Sequence, residues 1–187
     1  MTDRYLVVAA TAAEAAHVPA HLTVLVTGVG KTPAAVATTR ALAELDEPAR
    51  RGLVVLNIGT VGALRPMRRG LYTPSVIINH DVNAEVLRSL GIDPRDRLEI
   101  PDGDGTVLAS GDVFVTDPAV RDRLAAEADL VDMEGYGVAL ASAEYRVRVR
   151  LIKHVSDDAD ERSMDWPKRV DASARALGQW LAEHARG

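Results

Sequence analysis

Cysteine is absent from the sequence, which excludes disulfide bonds, thiolate metal sites and thiol catalysis. Long apolar runs are absent too, because no stretch approaches the ~20 residues of a membrane-spanning helix. The first residues lack the basic and apolar regions of a secretion signal. Basic residues are outnumbered, with 22 Lys and Arg against 27 Asp and Glu and a formal charge of -5. We therefore expect no nucleic-acid partner, no membrane partner and a cytoplasmic location.

The length and hydrophobic content of the chain fit a single folded domain. With 187 residues, 47% of them hydrophobic, the chain is predicted to form a single domain over residues 1–187. Apolar runs of strand length alternate with helical stretches, which predicts an α/β fold. Strands are predicted at 5–10, 22–27, 53–58, 75–79, 106–109, 130–133 and 149–155. Helices are predicted at 32–45, 118–127, 134–145 and 167–185, and a loop at 93–105.

A glycine-rich turn follows the second predicted strand. Gly28-Val-Gly30-Lys31 precedes a helix, which is the setting of a phosphate-binding P-loop. That motif needs a glycine five residues before Gly30, where this chain has Leu25. We therefore interpret the two glycines as a tight strand-to-helix turn.

Acids follow two of the predicted strands. Val131-Asp-Met-Glu-Gly135 ends one apolar run, and Val155-Ser-Asp157 ends another about twenty residues later. Parallel sheets bind their ligands at the carboxyl ends of strands. The pattern predicts a cleft with two carboxylates at its edge.

Five segments in this order resemble one family. They are Thr27-Gly-Val-Gly-Lys-Thr-Pro-Ala-Ala35, Leu56-Asn-Ile-Gly-Thr-Val-Gly-Ala-Leu64, Ser110-Gly-Asp-Val-Phe-Val115, Val131-Asp-Met-Glu-Gly135 and Val155-Ser-Asp-Asp-Ala-Asp160. The chain resembles the purine nucleoside phosphorylase and uridine phosphorylase superfamily, and is most similar to its methylthioadenosine/S-adenosylhomocysteine nucleosidases. The resemblance implies a three-layer α/β/α fold with a mixed, mostly parallel twisted sheet. It also implies a homodimer, for which residues 76–90 are the candidate interface.

Cleavage of an N-ribosidic bond places positive charge on the sugar and negative charge on the departing base. The resemblance gives Asp157 the role of the acid that protonates N7 of a purine, and Glu14 the role of the base that activates water. Glu134 would accept hydrogen bonds from the ribose hydroxyls. Each acid has a structural alternative: Asp157 as a helix N-cap, and Glu14 and Glu134 as acids near a helix start.

The other predicted contacts surround the nucleoside. Phe114 would stack on the purine unless it is a core aromatic, and Val115 would present its main chain to the purine edge. Met133 would pack against the ribose, or would be ordinary core. The remaining predicted substrate contacts are Thr60, Val61 and Gly62 near the ribose and water, Ser156 beside the acid, and Trp166 over the 5′ substituent.

Water is the expected nucleophile because residues 7–21 contain Glu14 but no Lys or Arg to hold phosphate. An aspartate at 157 suits a 6-amino purine, so adenine is the expected leaving base. Phosphorolysis, hydrolysis of another modified nucleoside such as futalosine, and nucleoside binding without turnover remain alternatives.

No cofactor is expected, and no metal, since His80 and Asp81 have no further ligands at metal spacing. Lys153 and His154 stand before Ser-Asp, where the resemblance leads us to expect an arginine-containing pair. We interpret His154 as a structural hydrogen-bonding residue.

Overall fold

The structure is a computed structural model that describes residues 4–159 and 166–186. Its strands are β1 (Arg4–Ala9), β2 (Thr23–Val26), β3 (Leu53–Ala63), β4 (Leu71–Tyr72), β5 (Val76–Asn79), β6 (Arg97–Glu99), β7 (Val107–Ser110), β8 (Leu130–Asp132) and β9 (Arg148–Asp157). Its helices are α1 (Lys31–Ala43), α2 (Glu47–Arg50), α3 (Ala84–Ser89), α4 (Pro118–Leu124), α5 (Gly135–Glu144) and α6 (Trp166–His184). None of the helices in these two ranges is both long and apolar enough to cross a membrane. Asp160, the last residue of the fifth resembling segment, lies outside the described residues.

The strands form one mixed sheet. Its main path is β2-β1-β3-β8-β7-β5-β6, and β9 pairs with both β3 and β4. The pairs β1–β2, β1–β3, β3–β9, β5–β7 and β7–β8 are parallel, whereas β3–β8, β4–β9 and β5–β6 are antiparallel. The prediction of a mixed, mostly parallel sheet is confirmed.

Both faces of the sheet are covered, as its apolar strands predict. In β1, successive side chains point to opposite faces. Val7 and Ala9 pack with Leu177 and Leu181 of α6. On the other face, a second cluster joins the sheet to α1 and α5; its members include Leu6, Val8, Leu42 and Val138. The result is a three-layer α/β/α arrangement.

The predicted elements exist, but the sequence does not predict four short elements, and it predicts β3 and β9 too short. β4, β6, α2 and α3 were not predicted, and β6 lies inside the stretch predicted as a loop at 93–105. β3 was predicted to end at residue 58 and instead continues to Ala63. Its glycines serve close packing: a Cβ on Gly59 would lie 3.2 Å from Glu14 Oε1, and one on Gly62 would lie 2.9 Å from the Ala159 Cβ.

Candidate active site

A cavity of about 190 Å³ opens where β1, β3, β8 and β9 end. This is the position at which parallel sheets bind ligands. The lining residues are Ala10, Thr11, Glu14, Val29, Thr60, Val61, Gly62, Val113, Phe114, Val115, Val131, Asp132, Met133, Glu134, Ser156, Asp157, Ala159 and Trp166. All eleven residues predicted to act on a nucleoside are in this set. The three predicted acids converge on one hollow.

Glu14 lies in the turn after β1 and is buried. Its Oε1 accepts hydrogen bonds from the Thr60 N–H at 2.8 Å and the Thr60 hydroxyl at 2.9 Å. Its Oε2 accepts from the Thr11 hydroxyl at 3.1 Å. The turn does not lead into a helix, so the alternative of an acid favoured at a helix start is wrong. The donors instead fix the carboxylate against the end of β3.

Trp166 extends this network to the start of α6. Its indole Nε1–H donates to Thr60 Oγ1 at 2.8 Å, and that hydroxyl in turn donates to Glu14. The indole therefore forms part of the cavity wall on the side of Glu14. A hydroxyl side chain, Ser or Thr, is needed at position 60 because it accepts the hydrogen bond from Trp166 and donates one to Glu14.

Glu134 immediately precedes α5 but does not cap it. Its side chain makes no hydrogen bond to its own helix, and Oε1 accepts from the Gly30 N–H at 2.8 Å. Burial, followed by the negative charge of Asp132, raises the pKa of Glu134 from 4.5 to about 7, against the Gly30 hydrogen bond and the charge of Lys153. The main-chain contact therefore directs the carboxyl group across the cavity towards the turn before α1.

Asp157 is the last residue of β9 and is buried. Its Oδ2 accepts from the Ser156 hydroxyl at 2.6 Å, and its Oδ1 accepts from the Ala159 N–H at 3.0 Å. The residues that follow through Ala159 are not helical, so the N-cap alternative is wrong for this segment. Gly62 lets the carboxyl group approach β3, since a Cβ there would lie 3.1 Å from Asp157 Oδ1.

The opposite wall is apolar. Phe114 is 46% exposed, so it is not a core aromatic, and its position beside the cavity mouth leaves a ring face available. Val115 is buried with the cluster that packs around β7 and α4. Met133 is half-buried and lines the cavity, so it is not ordinary core either.

A buried ion pair beneath the cavity was missed by the sequence reading. Lys153 Nζ lies 2.8 Å from Asp132 Oδ2 and donates to Asn57 Oδ1 at 2.7 Å. The side chains of Lys153 and Asp132 are 2% and 1% exposed. Asp132 also accepts from the Ser110 hydroxyl and from the Gly135 N–H. The sequence signal was the acid two residues before Glu134 together with the lysine in the β9 run.

The glycine-rich turn has the predicted role. Gly28 and Gly30 have φ values of 87° and 105°, which favour glycine. The first amides of α1 are taken by carboxylates of the protein, because Gly30 N–H donates to Glu134 and Lys31 N–H donates to Asp112 at 2.7 Å. The turn therefore closes the cavity wall rather than cradling a phosphate group.

His154 lies outside the cavity lining. Its Nδ1 is 2.9 Å from the Ser173 hydroxyl of α6, and burial, assisted by the charge of Arg69, lowers its pKa. The interpretation of His154 as a structural hydrogen-bonding residue agrees with this position.

Comparisons with known proteins agree with this architecture. The family model of the phosphorylase superfamily matches residues 87–184. The aminodeoxyfutalosine nucleosidase of Helicobacter pylori is 33% identical over 78 residues, which are 40% of this chain and 34% of that protein. The match thus spans about a third of the length of that curated relative.

Solved structures match over nearly the whole chain. A 5′-methylthioadenosine/S-adenosylhomocysteine nucleosidase from H. pylori has a TM-score of 0.82 at 21% identity and covers 97% of both chains. A futalosine hydrolase mutant from the same species has a TM-score of 0.81 at 20% identity, again over 97% of each chain. The Streptococcus pneumoniae MTA/SAH nucleosidase, in complex with 8-aminoadenine, has a TM-score of 0.77 at 18% identity, over 96% of this chain and 97% of that one. These likenesses establish the fold.

Proposed function

The chain belongs to the phosphorylase superfamily, and from that premise we propose that it is a nucleosidase, an N-glycosyl hydrolase that cleaves the N-ribosidic bond of an adenine nucleoside. The products would be free adenine and the ribose moiety. The 5′-methylthioadenosine and S-adenosylhomocysteine named for its structural neighbours are the first candidate substrates.

The charge of the cavity carries this proposal. Four carboxyl groups, those of Glu14, Asp132, Glu134 and Asp157, are among the described lining residues, and none of those residues is Lys, Arg or His. Lys153, beneath the lining, pairs with Asp132, and Glu134, whose pKa is about 7, is only partly ionised at neutral pH, so the acidic character of the cavity rests on Glu14, Glu134 and Asp157. A phosphate dianion would be repelled there, whereas the positive charge that develops on the sugar in the transition state would be stabilised. Water is therefore favoured over phosphate as the nucleophile.

Glu14 has the position of a general base in this scheme. Within residues 4–159 and 166–186, its Oε1 is engaged by two donors from Thr60, whereas Oε2 accepts one hydrogen bond, from Thr11. Oε2 would take a proton from a water molecule as the water oxygen forms its bond to C1′ of the sugar. Glu134 would accept hydrogen bonds from the ribose hydroxyls and hold C1′ towards that water.

Asp157 completes the proton balance. As the bond between N9 and C1′ breaks, the electron pair moves into the purine, and Asp157 delivers a proton to N7. The neutral base then leaves. Phe114 would stack on the purine, Val115 would offer main-chain groups to its edge, and Trp166 would cover the 5′ substituent.

The substrate assay separates this proposal from its alternatives. Purified protein is incubated with 5′-methylthioadenosine, S-adenosylhomocysteine, 5′-deoxyadenosine and a futalosine-type nucleoside, with and without phosphate. Chromatography quantifies the free base, and a reducing-sugar assay distinguishes hydrolysis from formation of a sugar 1-phosphate. We expect adenine and a reducing sugar without phosphate. Phosphate dependence would indicate a phosphorylase, preference for the futalosine-type substrate would change the substrate class, and calorimetric binding without release would indicate a binding module.

We also propose that the protein is a cytoplasmic, single-domain homodimer. The first part of the candidate interface is excluded, because Val76, Ile77 and Ile78 are buried within the sheet. We therefore restrict the proposed interface to residues 84–90, in which Val86 and Leu90 are 50% and 69% exposed. Sedimentation of the wild type and of Leu90→Asp tests it, and a wild type that sediments as a monomer would refute it.

A further inference from the structure

Three segments meet beside the mouth of the cavity. They are the turn before α1, the residues after β5, and the loop after β7 that carries Phe114. The Lys31 N–H donates to Asp112 Oδ1 at 2.7 Å, and the Asp112 N–H donates to Asp81 Oδ2 at 2.7 Å. Lys31 Nζ contacts Asp81 Oδ1 and also donates to Asn79 Oδ1 at 2.6 Å. We call Lys31, Asp81 and Asp112 the loop clasp.

The loop clasp is tightly built for a surface feature. The side chains of Lys31 and Asp81 are 14% and 27% exposed. The pKa of Asp81 is lowered overall. Desolvation is the largest single influence and acts to raise the pKa, but the hydrogen bonds from Lys31 and Asp112, together with the Lys31 charge, outweigh it. Space is also limited, since a Cβ on Gly30 would lie 3.2 Å from Asp112 Oδ1.

The loop that the clasp holds has little packing of its own at its tip. Val113 and Phe114 follow Asp112 directly and are 57% and 46% exposed. Val115, the next residue, is anchored in a hydrophobic cluster. Phe114 therefore lies between two fixed residues: Val115, which is held by apolar packing, and Asp112, which is held by hydrogen bonds.

The turn before α1 also contacts the sugar side of the cavity. Its Gly30 N–H donates to Glu134, and the next amide, of Lys31, donates to Asp112. Two successive amides therefore set the positions of Glu134 and of the loop that carries Phe114. The Glu134 contact uses the Gly30 amide and neither the Lys31 nor the Asp81 side chain, so loss of those side chains is expected to release the Phe114 loop and to leave Glu134 in place.

We propose that Lys31, Asp81 and Asp112 are positioning residues that hold the Phe114 loop in its base-binding position. This inference rests on the proposed function, because it assigns the stacking role to Phe114. The clasp contributes to the recognition of the base and not to the breaking of the bond. Its loss would weaken nucleoside binding more than it slows the chemical step.

The test compares Asp81→Asn with a matched control, Asp129→Asn. Asp129 likewise pairs with a basic side chain, Arg65 at 3.3 Å, and accepts a main-chain N–H, that of Val107 at 2.9 Å, but it does not line the cavity. We expect Asp81→Asn to raise KM about tenfold, the loss of one charge-assisted hydrogen bond, with kcat changed less than about threefold. The control should leave both constants near the wild-type values.

Hydrogen exchange of residues 111–116 gives a readout that needs no substrate. Faster exchange in Asp81→Asn, and in Lys31→Met as a second variant, supports the clasp, provided that Asp129→Asn exchanges as the wild type does. Unchanged exchange in both clasp variants would overturn the proposal that the clasp holds the loop. So would a tenfold fall in kcat with KM unaltered in Asp81→Asn. A wild type that neither binds nor cleaves nucleosides would overturn the proposed function and the base-recognition role together, whereas the exchange data alone decide whether the clasp holds the loop.

Discussion

Substitution of Glu134 should move stability and activity in opposite directions. Burial and the neighbouring Asp132 raise the Glu134 pKa from 4.5 to about 7. The native state therefore holds this proton more tightly than the unfolded chain, and ionisation between pH 4.5 and 7 lowers the free energy of unfolding. Glu134→Gln removes the titration but keeps an oxygen that can accept from the Gly30 N–H. We expect the variant to be more stable than the wild type above pH 7 and to lose its hold on the ribose hydroxyls.

The magnitude follows from the pKa difference. At about 1.4 kcal/mol per pH unit, the change corresponds to at most about 3 kcal/mol of unfolding free energy. Water penetration and relaxation around the ionised Glu134 carboxylate reduce the penalty of burial, so we expect a measured effect of about 1–2 kcal/mol. The wild type loses this stability as the pH rises from 4.5 to 7, whereas Glu134→Gln does not. Below pH 4.5 the difference between the two proteins should be constant.

Urea unfolding followed by circular dichroism, at intervals from pH 4 to pH 8, measures the effect. Glu85→Gln is the control, because Glu85 also lies near the start of a helix, in the first turn of α3, but is exposed. The control and the wild type should give parallel curves of unfolding free energy against pH. If the Glu134→Gln curve is parallel to them as well, the buried, charge-opposed environment assigned to Glu134 is wrong.

Three further substitutions test the site. Asp157→Asn should lower kcat at least about 100-fold with an unchanged circular dichroism spectrum, and near-normal turnover would remove its role as the acid. Glu14→Gln should lower kcat similarly while calorimetry still detects nucleoside binding; retained activity would require another base. Lys153→Met should lower the free energy of unfolding by about 3–5 kcal/mol, because it leaves Asp132 buried without its partner. A loss below about 1 kcal/mol in urea unfolding would show that water reaches this ion pair.

Most of the sheet was predictable because its strands are apolar on both faces. The run at 53–58 predicts a central strand, and this part of β3 pairs with β1 and β9. The prediction stops early because Gly59 and Gly62 resemble turn residues. Their lack of a side chain instead makes room for Glu14 and Ala159, which are distant in sequence. β4 and β6, with two and three residues, are too short to show a period.

The candidate site was predicted through resemblance and short segments, and the placement of its acids agrees with that prediction. The contacts that orient those acids were not predictable. Lys153 and Asp132 lie on β9 and β8, which each pair with β3 but not with each other, so their ion pair is not a contact between neighbouring strands. The Trp166 contact with Thr60 depends on how α6 docks. The sequence shows these residues as candidates, but it does not show which of them meet.

The helix that follows the glycine-rich turn begins with amides that already have partners from within the chain. Glu134 and Asp112 act there as resident anions, in the place where a nucleotide-binding protein would seat a diphosphate. With these two amides occupied by carboxylates, the start of α1 attracts an oxyanion from solution less than a helix start with free amides would. Replacement of both acids by short neutral residues would free these two amides, and in the proposed nucleosidase we would then expect phosphate to compete better with water as the nucleophile.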